Sequence, residues 1–135
     1  MITLRDYIGV WEFHEDVTTK VIGNALDMLN RVNALTAEFE ASGGVSLTNP
    51  KTKTQVSGET GGGFRPQEFP VGANLSSHKT GEGVDKYDPK DTFKNWVMRH
   101  QDLLIKHNLY MEDPRFTDTW CHLQSRPTRN RVFIP

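Results

Sequence analysis

Ser76-Ser77-His78-Lys79-Thr80-Gly81-Glu82-Gly83-Val84-Asp85 carries a histidine and an aspartate, and Trp120-Cys121-His122-Leu123-Gln124 carries a second histidine further on. Gly81 and Gly83 let the first stretch turn sharply and then run on as a strand, which brings His78 and Asp85 toward one point. The second stretch reads as a strand, with Asp118, Trp120, His122 and Gln124 on one face if it is regular. Neutral imidazole and carboxylate suit zinc. Three protein ligands with a fourth position for water describe a hydrolytic site rather than a closed structural one. Spacing alone leaves the plainer reading open, since a strand histidine is usually a hydrogen-bonded core residue.

The flanking pattern indicates what would hold such a site. Val17, Val21, Ile22, Ala25, Met28, Leu29, Val32, Leu35 and Phe39 recur in steps of three and four, which predicts a long N-terminal helix. Asp16 is its expected N-cap and Gly43-Gly44 its stop. Residues 45–75 are rich in Gly, Ser, Thr and Pro and read as a loop-rich wall, with short strands expected at Val45–Thr48 and Thr54–Ser57. Asp88-Pro89-Lys90-Asp91 signals a helix start, and Asp102–His107 reads as a second short helix. Leu109–Glu112, Trp120–Gln124 and Arg131–Ile134 read as strands. The expected class is α+β: a small, mostly antiparallel sheet carrying the site and packed against helices, in a single domain spanning residues 1–135.

Composition narrows the functions. At 135 residues the chain can bury a core without staples, and its one cysteine excludes an internal disulfide framework or a Cys-rich zinc finger. A formal charge of −1 offers no basic field for nucleic acid or an anionic membrane. No apolar run reaches the ~18 residues of a membrane span, and the N-terminus shows no signal-peptide pattern. The expectation is synthesis in the cytoplasm.

Ser76, His78, Gly81 and Asp85, in the spacing Ser-x-His-x-x-Gly-x-x-x-Asp, resemble the signature of the D-alanyl-D-alanine carboxypeptidase and dipeptidase group of zinc peptidases. That group includes L-alanyl-D-glutamate endolysins of bacteriophages and shares its core with the hedgehog signalling domain. Gly62-Gly63-Phe64-Arg65-Pro66 looks like the group's Ser-Gly-Tyr-Arg element, and Trp120-x-His122 like its last ligand motif. Together these elements span about Ser57 to Gln124. Arg31–Leu35, Asp88-Pro89, Trp120–Gln124 and Asn130–Pro135 further resemble a compact, phage-borne subset.

The resemblance implies that His78, Asp85 and His122 ligate Zn2+, that Arg65 holds the peptide carbonyl or developing oxyanion, and that Ser76 supports the site through hydrogen bonds. One departure stands out. The group's catalytic glutamate commonly lies three residues before the last histidine, where this chain has Thr119. Two carboxylates are candidate replacements: Asp118, on the same strand, and Glu112, expected to face Trp120 and lie diagonal to His122. Glu112 is favoured narrowly. Cys121, beside His122, reads as a buried and inert thiol.

Two functions follow as expectations. One is a zinc metallopeptidase cutting peptidoglycan stem peptides, either as a phage endolysin or as a wall-cutting component of the virion. The other is a virion structural protein that keeps the fold without catalysis, with other phage particle proteins as its partners. Either would act at the bacterial wall or within a particle.

Overall fold

The computed structural model describes residues 1–73 and 75–135. Helix α1 (Leu4–Ile8) is closed by a capping box from Thr3 and Asp6 and leads through a 3-10 turn at Gly9–Trp11. Helix α2 (Thr19–Ala41) buries Val21, Ala25, Met28, Leu29, Val32, Leu35 and Phe39 on one stripe. Its N-cap is Thr18, whose hydroxyl accepts from the Val21 amide at 3.2 Å. Asp16, the expected cap, instead accepts from the Gln67 amide at 2.8 Å. Gly43 takes a left-handed φ of 100° just after the helix.

A four-stranded sheet follows, built from β1 (Gly83–Tyr87), β2 (Tyr110–Glu112), β3 (Trp120–Gln124) and β4 (Val132–Phe133) in the order β1-β3-β2-β4. Between β1 and β2 lie α3 (Thr92–Met98) and α4 (Asp102–Lys106). β3 pairs antiparallel with β1 and β2, whereas β4 pairs parallel with β2, so the sheet is mixed. The reason lies in the connection. β3 ends at Gln124 opposite Tyr110, the start of β2, so the chain rounds that end and runs along the far edge in the direction of β2.

Of the two short strands expected in the loop-rich wall, Val45–Thr48 forms none, and Thr54–Ser57 contributes one bridge, Val56 to Lys86. That segment still covers the outer edge of β1: Tyr87 N–H bonds Gln55 O at 2.8 Å and Ser57 N–H bonds Asp85 O at 2.9 Å.

Alternation divides the sheet into two chemistries. Val84, Met111, Cys121 and Leu123 occupy one face and are fully buried in a core that includes Phe39, Phe93 and Val97. Asp85, Glu112, His122 and Gln124 share the other face. Among the described residues no helix is long and apolar enough to cross a membrane.

Candidate metal centre

Asp85 and His122 lie directly opposite each other on β1 and β3. The main chain of Asp85 points away from β3: its N–H bonds Gly62 O at 2.8 Å and its carbonyl accepts from Ser57. The two residues are therefore a non-hydrogen-bonded pair, the kind in which opposed side chains approach most closely. His122 Nδ1 sits 2.8 Å from Asp85 Oδ1.

His78 arrives from a 3-10 turn at Ser77–Thr80, capped by Ser76, whose hydroxyl accepts from the His78 amide at 3.3 Å. Gly81 ends the turn with a left-handed φ of 81°, and a Cβ there would lie 2.5 Å from Val21 O of α2. Only glycine lets the turn rest on the helix backbone. His78 Nε2 then lies 3.2 Å from the same Asp85 Oδ1. One ligand atom from each of His78, Asp85 and His122 falls within 4.8 Å of the others, and all three residues are buried, which makes them a group able to hold a metal ion.

Protein oxygens fix the outward nitrogens of both rings. His78 Nδ1 donates to Gly63 O at 2.7 Å, and His122 Nε2 donates to Gln124 Oε1 at 2.8 Å. The inward nitrogens, Nε2 of His78 and Nδ1 of His122, are the ones left to face Asp85. This arrangement fits a metal ion, since metal-ligating histidines commonly hold their second nitrogen on a protein acceptor.

Arg65 completes the cluster. Its Nη2 lies 3.3 Å from Asp85 Oδ2, its Nε donates to Gly61 O at 2.7 Å, and its guanidinium stacks over Phe69. The two carboxylate oxygens are thereby divided, Oδ1 to the histidines and Oδ2 to the arginine.

Electrostatics follow from this packing. Burial opposes the Asp85 charge, but the two imidazoles outweigh it and hold the carboxyl well below the usual range. Burial lowers the pKa of His78, with Asp85 opposing. Burial also works against a charged His122, yet hydrogen bonding and attraction from Asp85 raise its pKa.

The structure separates the two candidate bases. The β2–β3 register pairs Tyr110 with Gln124 and Met111 with Leu123, so one further step sets Glu112 opposite His122 rather than diagonal to it. Asp85 pairs with His122 and Glu112 with Phe133, and with the β2–β3 register continued by that step the four fall in one row across the sheet. Burial raises the Glu112 pKa, and His122 opposes that shift. Asp118 is exposed and outside the strand, which begins at Trp120. Thr119 takes a left-handed φ of 73°, which breaks the alternation on which the Asp118 placement depended.

Cys121 is fully buried on the opposite face, its thiol pushed up by burial, and its sulfur lies 3.6 Å from that of Met111. Contacts beyond the sequence reading come from Ser77, Gln124 and the Gly63 carbonyl. Tyr7 also lies close enough to feel the Asp85 charge, and its buried hydroxyl has no hydrogen-bond partner of normal geometry among the described residues. Its pKa is raised, chiefly by burial and then by the Asp85 charge. A groove of about 910 Å³ between α1 and residues 51–59 contains none of the three ligand candidates. Comparison with family models, with curated proteins and with solved structures returned no match.

Proposed function

We propose that this chain is a zinc-dependent peptidase that hydrolyses amide bonds in peptidoglycan stem peptides. The observation that carries the reading is the buried His78–Asp85–His122 group, with both outer nitrogens hydrogen-bonded and a carboxylate in the same row. The motif resemblance supplies the substrate class. His78 Nε2, Asp85 Oδ1 and His122 Nδ1 would hold the ion, which when bound polarises a carbonyl and acidifies water.

The protein's own groups do the rest. Glu112, half-buried and with a raised pKa, takes a proton from the attacking water and returns it to the leaving nitrogen. Arg65 has five N–H donors, and its Nε and Nη2 are engaged with Gly61 and Asp85. The remaining donors are available to the substrate carbonyl or carboxylate. Ser76 keeps His78 in place by capping its turn. The enzyme would reach the wall through a membrane lesion made by another protein, or as part of a phage particle.

The test is to incubate the zinc-loaded protein with peptidoglycan and identify released fragments by mass spectrometry, beside His78→Ala. Stem-peptide fragments that vanish in the control support the reading. Glu112→Gln should then keep zinc and lose about 10²–10⁴ in turnover, with Asp118→Asn close to wild type. Stoichiometric zinc with no fragments from several wall types would sink the peptidase and favour a particle protein that keeps the fold.

A further inference from the structure

A neutral imidazole has one N–H and one lone pair, so the nitrogen able to bind a metal is set by what the other nitrogen touches. For His122 that partner is the side-chain carbonyl of Gln124, two residues along the same strand face. A carboxamide can turn over and present its NH2 instead, so the orientation of Gln124 decides the matter.

Both ends of that carboxamide are held. Ser77 Oγ donates to Gln124 Oε1 at 3.0 Å, while Gln124 Nε2 donates to the Arg126 carbonyl at 2.9 Å. Turning the amide over would set its carbonyl against the Arg126 carbonyl and its NH2 toward His122. Oε1 is therefore committed to His122, and His122 Nε2 must carry a proton; Nδ1 lies 2.8 Å from Asp85 Oδ1, the contact that a metal ion would interrupt. Ser77 and Gln124 are only 5% and 6% exposed, so water is poorly placed to stand in for either. A Cβ on Gly83 would fall 2.1 Å from Ser77 Oγ, so that hydroxyl fills space that only glycine leaves open. Arg126 is anchored too: its guanidinium bonds Thr80 Oγ1 at 2.6 Å, Glu82 Oε1 at 3.2 Å and the Leu75 carbonyl. These bonds tie the turn that carries His78 to the strand that carries His122.

We propose that Gln124, held by Ser77 and the Arg126 carbonyl, is the positioning residue that keeps the proton on His122 Nε2 and reserves Nδ1 for a metal ion. The inference rests on the metal-centre reading above for its purpose, but its geometry belongs to the metal-free protein.

The experiment combines nitrogen-15 NMR of the histidine rings with zinc affinity from chelator competition. In the wild type, His122 Nε2 should be protonated and slow to exchange without metal, and Nδ1 should be the nitrogen that shifts on adding zinc. Gln124→Leu, which removes the acceptor at similar size, should lose the protected Nε2–H and weaken zinc binding roughly 10- to 100-fold. Gln124→Glu keeps an acceptor and should recover most of that loss. Ser77→Ala, a gentler change that guards against misfolding in the leucine variant, should weaken binding in the same direction by less. A wild-type His122 protonated on Nδ1 alone, or Gln124→Leu and Ser77→Ala both binding zinc at wild-type affinity, would overturn the proposal. If the wild type binds no zinc, the metal-centre reading fails, and the Nε2–H signal of the metal-free protein still decides the clamp.

Discussion

Among the described residues, two clusters bring histidine and carboxylate atoms within 4.8 Å of one another: His78, Asp85 and His122, and the more exposed His14, Asp16 and Glu68. In the first, each ring turns one nitrogen outward to a protein oxygen and one inward. In the second, the lone pair of neutral His14 is spent on a main-chain amide and its N–H on a carboxylate. Nδ1 accepts from the Asp16 amide at 3.0 Å, and Nε2 pairs with Glu68 at 2.6 Å. Glu68 keeps 67% of its side-chain surface exposed, so water competes for every contact it makes. Proximity of ligand types is thus a weak criterion. The stronger one is which lone pairs remain free once the rest of the protein has formed its hydrogen bonds.

Paired substitutions put this contrast to the sharpest test. Asp85→Asn should abolish stoichiometric zinc binding, exceeding the roughly 100-fold loss typical of outer contacts. It should also cost the metal-free protein about 3–5 kcal/mol in urea unfolding, because Arg65 and His122 are left buried without their counter-charge. Asp16→Asn should leave zinc stoichiometry unchanged. Equal zinc loss in both variants would erase the distinction between the clusters.

Gly63→Ala tests whether backbone placement matters as much as the ligands themselves. A Cβ there would sit 2.0 Å from Tyr7 O, so α1 or the Gly63 carbonyl that holds His78 must move. The expected cost is about 1–3 kcal/mol, accompanied by weaker zinc binding. Wild-type affinity in a stably folded Gly63→Ala protein would show that the carbonyl contact is dispensable.

Acid should narrow the difference. The Asp85 carboxyl has a lower pKa folded than unfolded, so its contribution is complete above the ordinary carboxylate value of about 4 and fades as pH falls through the depressed one. The stability gap between wild type and Asp85→Asn should shrink below about pH 4 when urea unfolding is repeated across pH. A gap that persists unchanged in acid would assign the cost to packing instead of charge.

The smallest effect belongs to the exposed cluster. The hydrogen bond that His14 donates to the Glu68 carboxylate raises the pKa of His14, so Glu68→Gln should return its NMR titration midpoint toward the ordinary histidine value. The urea midpoint should not move measurably. A large stability loss would mean that the exposed triad is more than a surface ion pair.

Much of the scaffold was legible because periodicity reports burial. The stripe from Val21 to Phe39 follows the buried face of α2, and β3 occupies Trp120–Gln124 as its alternation suggested. Parallel pairing of β4 was not legible, since short strands carry no mark of direction. The place of Glu112 depended on register, and register is set by the 3-10 turn at Pro114–Phe116 and the left-handed Thr119, neither of which a hydrophobic pattern encodes. Ser77, Gln124 and the Gly63 carbonyl were hidden for another reason. Their roles arise from contacts with His122 and His78 across 45, 2 and 15 positions, and which ring nitrogen each oxygen meets is set by the folded geometry, not by any spacing in the sequence.

His78 and Asp85 are close along the chain, whereas His122 lies 37 residues beyond Asp85 and meets it only when β1 and β3 pair. Pairings of that span close late, because the intervening loop must first give up its freedom. An ion gripped by all three residues would strengthen contacts absent from the folding transition state, and such contacts slow departure from the native state without hastening arrival. Bound metal would therefore appear less in how fast the chain folds than in how long each molecule lasts: a durability counted in half-lives.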